Sequence, residues 1–332
     1  GSEFCWCNLF MLCACRFCVH RELPFAVDAV SGSVAYWGEG TLQIVRADEA
    51  KSIVVVGGGP AGMKAAAVAA ARGHKVSLLE EAGSLGGHLR LLQQLPGLGD
   101  WSIAVDNLQR EMKNHGVVVE TGVTATLSGI KSRAPDAVVF ATGSHFEKTG
   151  LSLYRPDRDT IPGANSEWVM DVEQAAWAVL RDGHALGRNI LILDETGTPL
   201  PFAVAEVLAE AGASVEIMSP RMYAGEKLYR NLDMLYIFPR LKKLGVKITN
   251  QYFVDSIGEN SVDVYDIWTG PEVLETRRNV DTVILSILRL ADDELYLNSI
   301  EHFEEVHRIG DMVAPRDVTA VIHEGEKLGR SV

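Results

Sequence analysis

Residues 51–81 read KSIVVVGGGPAGMKAAAVAAARGHKVSLLEE, and they contain the strongest indication of the fold. A short run of β-branched residues leads into a glycine turn, an alanine-rich segment continues as far as Gly73, and a second apolar run ends at Glu80. The order is strand, helix, strand, with a helix-ending glycine before the second strand. Such a βαβ unit predicts an α/β domain built on a parallel sheet.

The glycine turn has the spacing GxGxxG, because Gly57, Gly59 and Gly62 stand directly after a strand and at the start of a helix. In that context the first glycine permits the tight turn, the second lets a pyrophosphate approach the backbone, and the third allows close helix–strand packing. The helix N-terminus adds N–H groups and a partial positive charge. Glu80 ends the next strand, where an acid accepts hydrogen bonds from ribose hydroxyls. We therefore predict that Ser52–Glu80 bind the ADP half of FAD or of a related adenine nucleotide.

The same pattern continues along the chain and then recurs. Two more strands of the first sheet are predicted at Val117–Glu120 and Ala137–Ala141. A second βαβ unit follows, with strands at Asn189–Asp194 and Ser214–Ser219 and a helix over Pro201–Ala211 between them. We therefore expect an α/β fold with two Rossmann-like, disulfide-reductase-like nucleotide-binding domains.

The order of the segments indicates that the second domain is inserted in the first. After the second unit the chain returns with residues 307–332, HRIGDMVAPRDVTAVIHEGEKLGRSV, whose helical pattern predicts packing against the first sheet. We expect residues 1–48 to be a Cys-rich segment and linker. Residues 49–150 together with 290–332 would form the FAD- or ADP-binding domain, and residues 151–289 a second, NAD(P)-binding-like domain.

Length and charge limit the function classes. A chain of 332 residues favours two compact domains, and the formal net charge of −13 disfavours nucleic acid and anionic lipid surfaces as partners. Lys64 and Arg72 interrupt the alanine-rich stretch, so no membrane-spanning helix is expected. A secretory signal is not indicated either, because Glu3 stands where basic residues would precede the apolar segment. We expect a cytoplasmic protein.

The cysteines of the chain are confined to its first 18 residues. Such crowding favours metal binding over a disulfide framework. The candidate metal ligands are Cys5, Cys7, Cys13, Cys15 and Cys18.

Five motifs together resemble one family. In chain order they read VVVGGGPAG, RGHKVSLLE, GSLGGHLRLL, VVFATGS and IGDMVAPRDVTAVIHEG. From about Phe25 to the C-terminus, the chain is similar to the flavin- and nucleotide-binding portion of the trimethylamine dehydrogenase and 2,4-dienoyl-CoA reductase family. In that family a TIM barrel with FMN and a 4Fe-4S cluster precede two disulfide-reductase-like domains. The resemblance does not include the barrel, which a separate subunit or a further region would supply.

The resemblance also implies where FAD, or alternatively ADP, would be held. The glycine turn would bind the pyrophosphate and the acid after it the ribose, while the LGGHL loop would pass beside the flavin. The ATG strand end would line the same nucleotide, and the late GD pair would accept hydrogen bonds from the ribityl chain. The corresponding cofactor-binding residues are Gly57, Gly59, Pro60, Ala61, Gly62, Glu80, Glu81, Gly86, Gly87, His88, Leu89, Arg90, Ala141, Thr142, Gly143, Gly310 and Asp311.

The sequence departs from the family at the iron–sulfur motif. The family has a C-x2-C-x3-C spacing and a fourth cysteine in a CxVNP-like segment, because each thiolate binds one iron. Here Phe25 stands in place of the fourth ligand, and Trp6 and Leu9 stand in place of the first two. A 4Fe-4S cluster in another arrangement, a zinc ion, a reduced tail and a remnant that folds only against the barrel all remain open.

A second departure concerns the nucleotide turn of the second domain. The segment DETGTPLP, Asp194–Pro201, replaces the expected glycines with Asp194, Thr196 and Pro199. Larger side chains block a close approach to the backbone, and acidic side chains repel a pyrophosphate. The turn resembles that of the amine dehydrogenase branch, and NAD(P)H binding is therefore disfavoured.

Taken with the resemblance, these features imply an FAD-binding component of an iron–sulfur flavoprotein oxidoreductase. It would relay electrons to or from an FMN barrel within a hetero-oligomer, with an electron-transfer flavoprotein as a further partner. No catalytic residue is assigned in this chain. Two alternatives remain open: a stand-alone NAD(P)H-dependent flavin reductase, and a redox-inactive, ADP-binding structural subunit.

Overall fold

The computed structural model describes residues 43–230 and 232–332. It also describes the backbone of two short strands, β1 (Phe25–Asp28) and β2 (Ser33–Tyr36), which pair antiparallel. Among the helices in these described ranges, none is both long enough and apolar enough to cross a bilayer.

The chain divides into two compact units. Unit 1 contains the described residues up to Gln93, together with Gly99–His145 and Leu290–Val332. Unit 2 contains Gln94–Leu98 and Phe146–Arg289. Most of unit 2 therefore lies between two sequence segments of unit 1, as expected for an inserted domain.

Unit 1 is built on a parallel sheet. Its strands are β3 (Ser52–Val56), β4 (Lys75–Glu80), β5 (Val118–Thr121), β6 (Ala137–Phe140) and β17 (Val306–Arg308). They lie in the order β17-β6-β3-β4-β5, with every neighbouring pair parallel. The three central strands read as almost continuous apolar runs because both faces of the sheet are covered.

Successive side chains of β3 point to opposite faces of this sheet. Ile53 and Val55 belong to the core beneath the alanine-rich helix, whereas Val54 and Val56 belong to a core on the other face. The helices of unit 1 are α1 (Pro60–Ala71), α2 (Leu89–Leu92), α3 (Trp101–Asn114), α4 (Leu127–Lys131), α9 (Glu294–Leu297) and α10 (Val318–Gly329).

Helix α10 packs very closely on α1. A Cβ atom at Gly325 would lie 2.5 Å from the carbonyl oxygen of Ala61, and one at Gly329 would lie 2.7 Å from Val68 Cβ. The buried Lys64 of α1 adds ion pairs to Glu111 of α3 (2.9 Å) and Glu326 of α10 (3.3 Å). The return segment thus fixes the helix that begins at the glycine turn.

Unit 2 repeats the parallel architecture. Its main strands are β8 (Val169–Asp171), β9 (Asn189–Asp194), β10 (Ser214–Ser219), β11 (Lys247–Asn250) and β15 (Thr282–Ser286), and its helices are α5 (Val172–Arg181), α6 (Pro199–Glu210), α7 (Glu226–Arg230) and α8 (Met234–Lys243). The strand order is β11-β10-β9-β15-β8, and all pairs are parallel.

Two smaller sheets complete the described strands. An antiparallel sheet in unit 2 contains β12 (Tyr252–Gly258), β13 (Ser261–Asp266) and β14 (Glu275–Arg278). The remaining pair is β7 (Ser144–Phe146) with β16 (Arg289–Ala291).

The predicted α/β class with two Rossmann-like domains is confirmed. The strands predicted at Asn189–Asp194 and Ser214–Ser219 have the predicted bounds, and the other bounds differ by one or two residues. Helix α6 begins at Pro199 rather than Pro201, because a proline is favourable at the first helical position, where its missing N–H group has no intrahelical partner. The strand predicted at Val117–Glu120 runs one residue later, over Val118–Thr121.

Candidate nucleotide-binding site

The glycine turn joins β3 to α1 and requires two of its three motif glycines for steric reasons. Gly57 has φ +107°, and a Cβ atom there would overlap the carbonyl oxygen of Ala141. A Cβ atom at Gly62 would overlap the carbonyl oxygen of Gly57. Both positions therefore exclude any side chain, which is the role that GxGxxG glycines have in tight turns and close packing.

Gly59 differs from the other two because a Cβ atom there would have no atom within 4 Å. The residue is the N-cap of α1 in an extended conformation, and Pro60 follows at the first helical position. The first intrahelical bond runs from the Met63 N–H to the Gly59 carbonyl (2.9 Å). A side chain at Gly59 would therefore extend into open space, here called the cradle, at the start of the helix, where the first N–H groups have no intrahelical partner. An anion-binding turn requires such a space.

Glu80 is buried at the end of β4 and is already oriented toward the turn. Its Oε2 accepts a hydrogen bond from the Gly58 N–H (2.6 Å), and its Oε1 accepts one from the Ala82 N–H (2.8 Å). These two bonds fix the carboxylate beside the glycine turn. Glu81, in contrast, is exposed at the strand end.

The LGGHL loop lies against the glycine turn. The Gly86 N–H donates to the Gly58 carbonyl (2.9 Å), and a Cβ atom at Gly87 would lie 3.1 Å from Gly59 Cα. Leu89 is buried in the core beneath, and Arg90 Nη1 donates to the Ser84 carbonyl (3.3 Å). The loop thus lies beside the glycine turn at the same site.

The ATG strand end and the GD pair also pack against the first turn of α1. A Cβ atom at Gly62 would lie 3.2 Å from Ala141 Cβ, and one at Gly310, where φ is +75°, would lie 2.9 Å from Ala61 Cβ. Gly143 has open space at its Cβ position. The structure therefore brings the five predicted motifs together around the N-terminus of one helix.

Several residues that the sequence did not single out complete these contacts. Thr142 Oγ1 donates to the Asp292 carbonyl (2.5 Å), and the Gly310 N–H donates to Glu324 Oε2 (2.9 Å). His145 Nδ1 lies 2.6 Å from Asp292 Oδ1. These partners are more than ten residues apart in the chain, and most are far more distant, so no local pattern indicates them.

The corresponding turn of unit 2 is occupied by its own side chains. Asp194 is fully buried and accepts hydrogen bonds from the Gly197 N–H (2.9 Å), Thr196 Oγ1 (3.0 Å) and the Gly225 N–H (3.4 Å). Burial raises the pKa of Asp194, and these donors oppose that shift. The Asp194 carboxylate thus accepts hydrogen bonds from backbone N–H groups around the turn before α6. In an open dinucleotide site, the N–H groups of this turn would bind a pyrophosphate instead.

Glu195 is a second buried acid at this turn. Its Oε1 accepts a hydrogen bond from Ser152 Oγ (2.6 Å), and Arg221 Nε donates to its carbonyl oxygen (2.8 Å). Burial raises the pKa of Glu195 to about 7. The charge of this side chain therefore changes near neutral pH, where an ordinary glutamate is fully ionised.

We expect Glu195→Gln to reduce the loss of stability that accompanies a rise in pH. The folded protein binds the Glu195 proton more tightly than the unfolded chain does, so its stabilising contribution is complete below the unfolded pKa, near 4.5, and is lost as pH rises through about 7. The shift corresponds to about 3 kcal/mol at most. Glutamine keeps the acceptor for Ser152 and removes the titration.

The measurement is the free energy of unfolding by urea between pH 5 and pH 8 for the wild-type protein and for Glu195→Gln. As pH rises, the free energy of unfolding of the variant should increase relative to that of the wild-type protein. Glu210→Gln, at an exposed position of α6, serves as the control and should follow the wild-type profile. Parallel profiles for all three proteins would contradict the buried titration.

The proposed metal ligands Cys5, Cys7, Cys13, Cys15 and Cys18 lie outside the described residues. Within 43–230 and 232–332, the structure contains no group of three or more His, Cys, Asp or Glu side chains that could hold a metal ion. The iron–sulfur prediction therefore stays a prediction.

Comparisons with known proteins agree with this geometry. A family model described as FAD dependent oxidoreductase matches residues 52–115, which include the glycine turn and Glu80. A probable N-methylproline demethylase from Rhizobium meliloti (strain 1021) is 29% identical over 100% of this chain and 49% of that protein. An NADH oxidase from Thermoanaerobacter brockii is 36% identical over 66% of this chain and 32% of that protein.

A solved structure shows the same fold in a related enzyme. Histamine dehydrogenase from Rhizobium sp. 4-9 superposes with a TM-score of 0.81 at 25% identity, over 88% of this chain and 45% of that one. The chain spans about half the length, or less, of these relatives. The chain carries an FAD-dependent oxidoreductase domain and is a homologue of the trimethylamine dehydrogenase and 2,4-dienoyl-CoA reductase family.

Proposed function

We propose that unit 1 holds the adenine dinucleotide FAD, and that the chain is the FAD-binding component of a larger iron–sulfur flavoprotein oxidoreductase. The observation that carries this proposal is the open cradle at Gly59, which lies at the start of α1 and beside the buried carboxylate of Glu80. An anion-binding helix terminus next to a ribose-binding acid is the arrangement that adenine dinucleotides require.

The residues of unit 1 fit such a cofactor in distinct roles. The backbone at Gly59 and the helix start would bind the pyrophosphate, and Glu80 would accept hydrogen bonds from ribose hydroxyls while disfavouring a 2′-phosphate. Asp311 would accept hydrogen bonds from the ribityl chain. When bound, FAD supplies the electron-accepting and electron-donating chemistry, and the protein supplies position and electrostatics.

The proposal is tested by loading the purified protein with FAD and following its visible spectrum. We expect saturable binding of FAD, reduction of the bound flavin by dithionite, and reoxidation by an artificial one-electron acceptor. ADP should displace FAD competitively, because the adenylate half would occupy the same residues. Retention of ADP with no binding of FAD would favour the alternative of a redox-inactive, ADP-binding subunit.

We propose further that electrons do not enter through NAD(P)H at unit 2. Asp194 already occupies the donors of its dinucleotide turn, and the Lys227 N–H donates to the Gly197 carbonyl (3.1 Å) at the same place. A pyrophosphate would have to displace a buried carboxylate or lie beside it, and like charges at that distance repel. The chain would therefore exchange electrons with other redox groups.

The expected result is that neither NADH nor NADPH bleaches bound FAD in a stopped-flow experiment, even at millimolar concentration. Titration calorimetry with the two reduced nucleotides should likewise show no saturable heat. Fast bleaching by either nucleotide would support the alternative of a stand-alone NAD(P)H-dependent flavin reductase.

The redox partners are part of the same proposal. The relatives are about twice as long as this chain or longer, and the family resemblance implies an FMN-containing TIM barrel as the electron donor or acceptor. An electron-transfer flavoprotein would be a further partner, and the Cys-rich segment would carry an iron–sulfur cluster between them. Iron and sulfide analysis, together with isolation of the complex that contains a barrel, would test this assembly.

A further inference from the structure

Ser144 connects two motifs of the candidate site, although it belongs to neither. Its carbonyl oxygen lies 2.8 Å from His88 Nε2 in the LGGHL loop. Its Oγ lies 3.5 Å from Asp311 Oδ2 in the GD pair. Ser144 itself is buried at the start of β7, directly after the ATG strand end. One small residue therefore contacts the loop through its backbone carbonyl and the carboxylate through its side chain.

The Asp311 carboxylate is held at both of its oxygens. Oδ1 accepts a hydrogen bond from the Arg316 N–H (2.9 Å), and Oδ2 is the atom that Ser144 Oγ contacts. The preceding residue, Gly310, is fixed in turn, because its N–H donates to Glu324 Oε2 and its φ is +75°. Removing the Ser144 hydroxyl takes away its contact with Oδ2 and leaves the backbone hydrogen bonds of Arg316 and Gly310 in place.

Glu80, the acid on the adenylate side of the site, shares no hydrogen-bond partner with Ser144 among the described contacts. Glu80 is held by the N–H groups of Gly58 and Ala82, and the cradle at Gly59 is formed by backbone. A change at Ser144 therefore acts directly on Asp311 and leaves the hydrogen bonds of Glu80 in place. The two halves of a bound FAD can be tested separately.

We propose that Ser144 is a positioning residue for the flavin half of FAD. Its hydroxyl orients the Asp311 carboxylate toward the ribityl hydroxyls, and the hydrogen bond from His88 to its carbonyl holds the Ser144 backbone in place. The proposal rests on the function proposed above and deepens it, because it separates recognition of FAD from recognition of ADP.

The test measures the dissociation constants of FAD and ADP for nucleotide-free wild-type protein and for Ser144→Ala. FAD should bind about 10-fold more weakly to the variant, because one hydrogen bond that orients a charged group is lost. ADP affinity should change less than about twofold. Ser331→Ala removes an exposed hydroxyl of the same unit and should leave both constants unchanged.

The His88 contact gives a second, independent readout. His88→Leu removes the N–H donor to the Ser144 carbonyl and should weaken FAD selectively, whereas His88→Gln retains a side-chain N–H donor and should recover most of the lost affinity. A merely structural role would move the FAD and ADP constants together and would show no recovery with glutamine.

Equal weakening of FAD and ADP in Ser144→Ala, or no change in either constant, would overturn the positioning role while leaving the proposed function intact. Wild-type protein that binds neither FAD nor ADP would instead refute the proposed function itself.

Discussion

Gly59→Val is expected to weaken the binding of ADP and FAD severely while leaving the protein folded. A Cβ atom at this position would meet no protein atom within 4 Å, so we expect the protein to accommodate the side chain, which would fill the cradle at the start of α1. The backbone conformation there is extended and suits any residue. We expect affinity for both nucleotides to fall by roughly 100-fold or more, which corresponds to about 3 kcal/mol.

The measurement pairs nucleotide titration with urea unfolding of the nucleotide-free protein. The unfolding free energy of Gly59→Val should stay within about 1 kcal/mol of the wild-type value, because no side-chain capping bond is lost and N-cap preferences are typically about 1 kcal/mol. Gly99→Val is the matched control, because a Cβ atom there meets only the Gln93 carbonyl at 3.9 Å. Gly99→Val should bind both nucleotides normally, and unchanged affinity in Gly59→Val would refute the cradle.

Gly325→Ala is expected to destabilise unit 1 strongly, although the same change in an exposed helix is stabilising. Alanine normally gains up to about 1 kcal/mol over glycine within a helix. Here its Cβ would lie 2.5 Å from the Ala61 carbonyl and 3.0 Å from Lys64 Cβ, so α10 must move away from α1. Overpacking of this kind costs about 3 kcal/mol, and the net loss should be about 2 kcal/mol or more.

The prediction is checked by the urea midpoint and by ADP affinity measured on the same preparation. Affinity should also fall, because Ala61 belongs to the first turn of α1 at the glycine turn. Lys327→Ala, at an exposed position two residues further along α10, should stay within about 0.5 kcal/mol of the wild-type stability. A stabilised Gly325→Ala variant would show that the two helices are not in close contact.

The local parts of the site could be predicted from the sequence because they depend on short-range geometry. The GxGxxG pattern predicts that Gly57 and Gly62 must lack side chains, and the structure gives the steric reason. The position of Glu80 beside the turn follows from its place at the end of the next strand. The family resemblance was confirmed by the comparisons, and the two Rossmann-like domains were confirmed with it. The roles of the individual site residues stay predictions.

The long-range contacts could not be predicted, because nothing near a residue in the sequence specifies a partner more than a hundred positions away. Thr142 contacts Asp292, and Ser144 contacts Asp311, only when the C-terminal part of the chain has folded back onto unit 1. Asp194 illustrates a different limit. Its charge indicated repulsion of a phosphate, but the sequence did not show that Gly225, from the segment after β10, would donate to its carboxylate.

The close packing of α10 on α1 was predicted only as a return to the first sheet. The pattern after Pro315 indicated a helix, but it did not indicate that Gly325 and Gly329 allow backbone-to-backbone approach. Glycine lowers helix propensity, so its presence in a helix reflects a packing requirement that only the partner surface reveals.

The most direct test of the nucleotide site is to denature the purified protein, before and after incubation with FAD, and to identify and quantify the released nucleotides by chromatography. Backbone N–H groups at the start of α1 and the fixed carboxylate of Glu80 predict a single adenine nucleotide per chain after incubation with FAD, and none in Gly59→Val. The absence of any adenine compound from the wild-type protein, with no saturable binding of ADP or FAD, would contradict the assignment of this site.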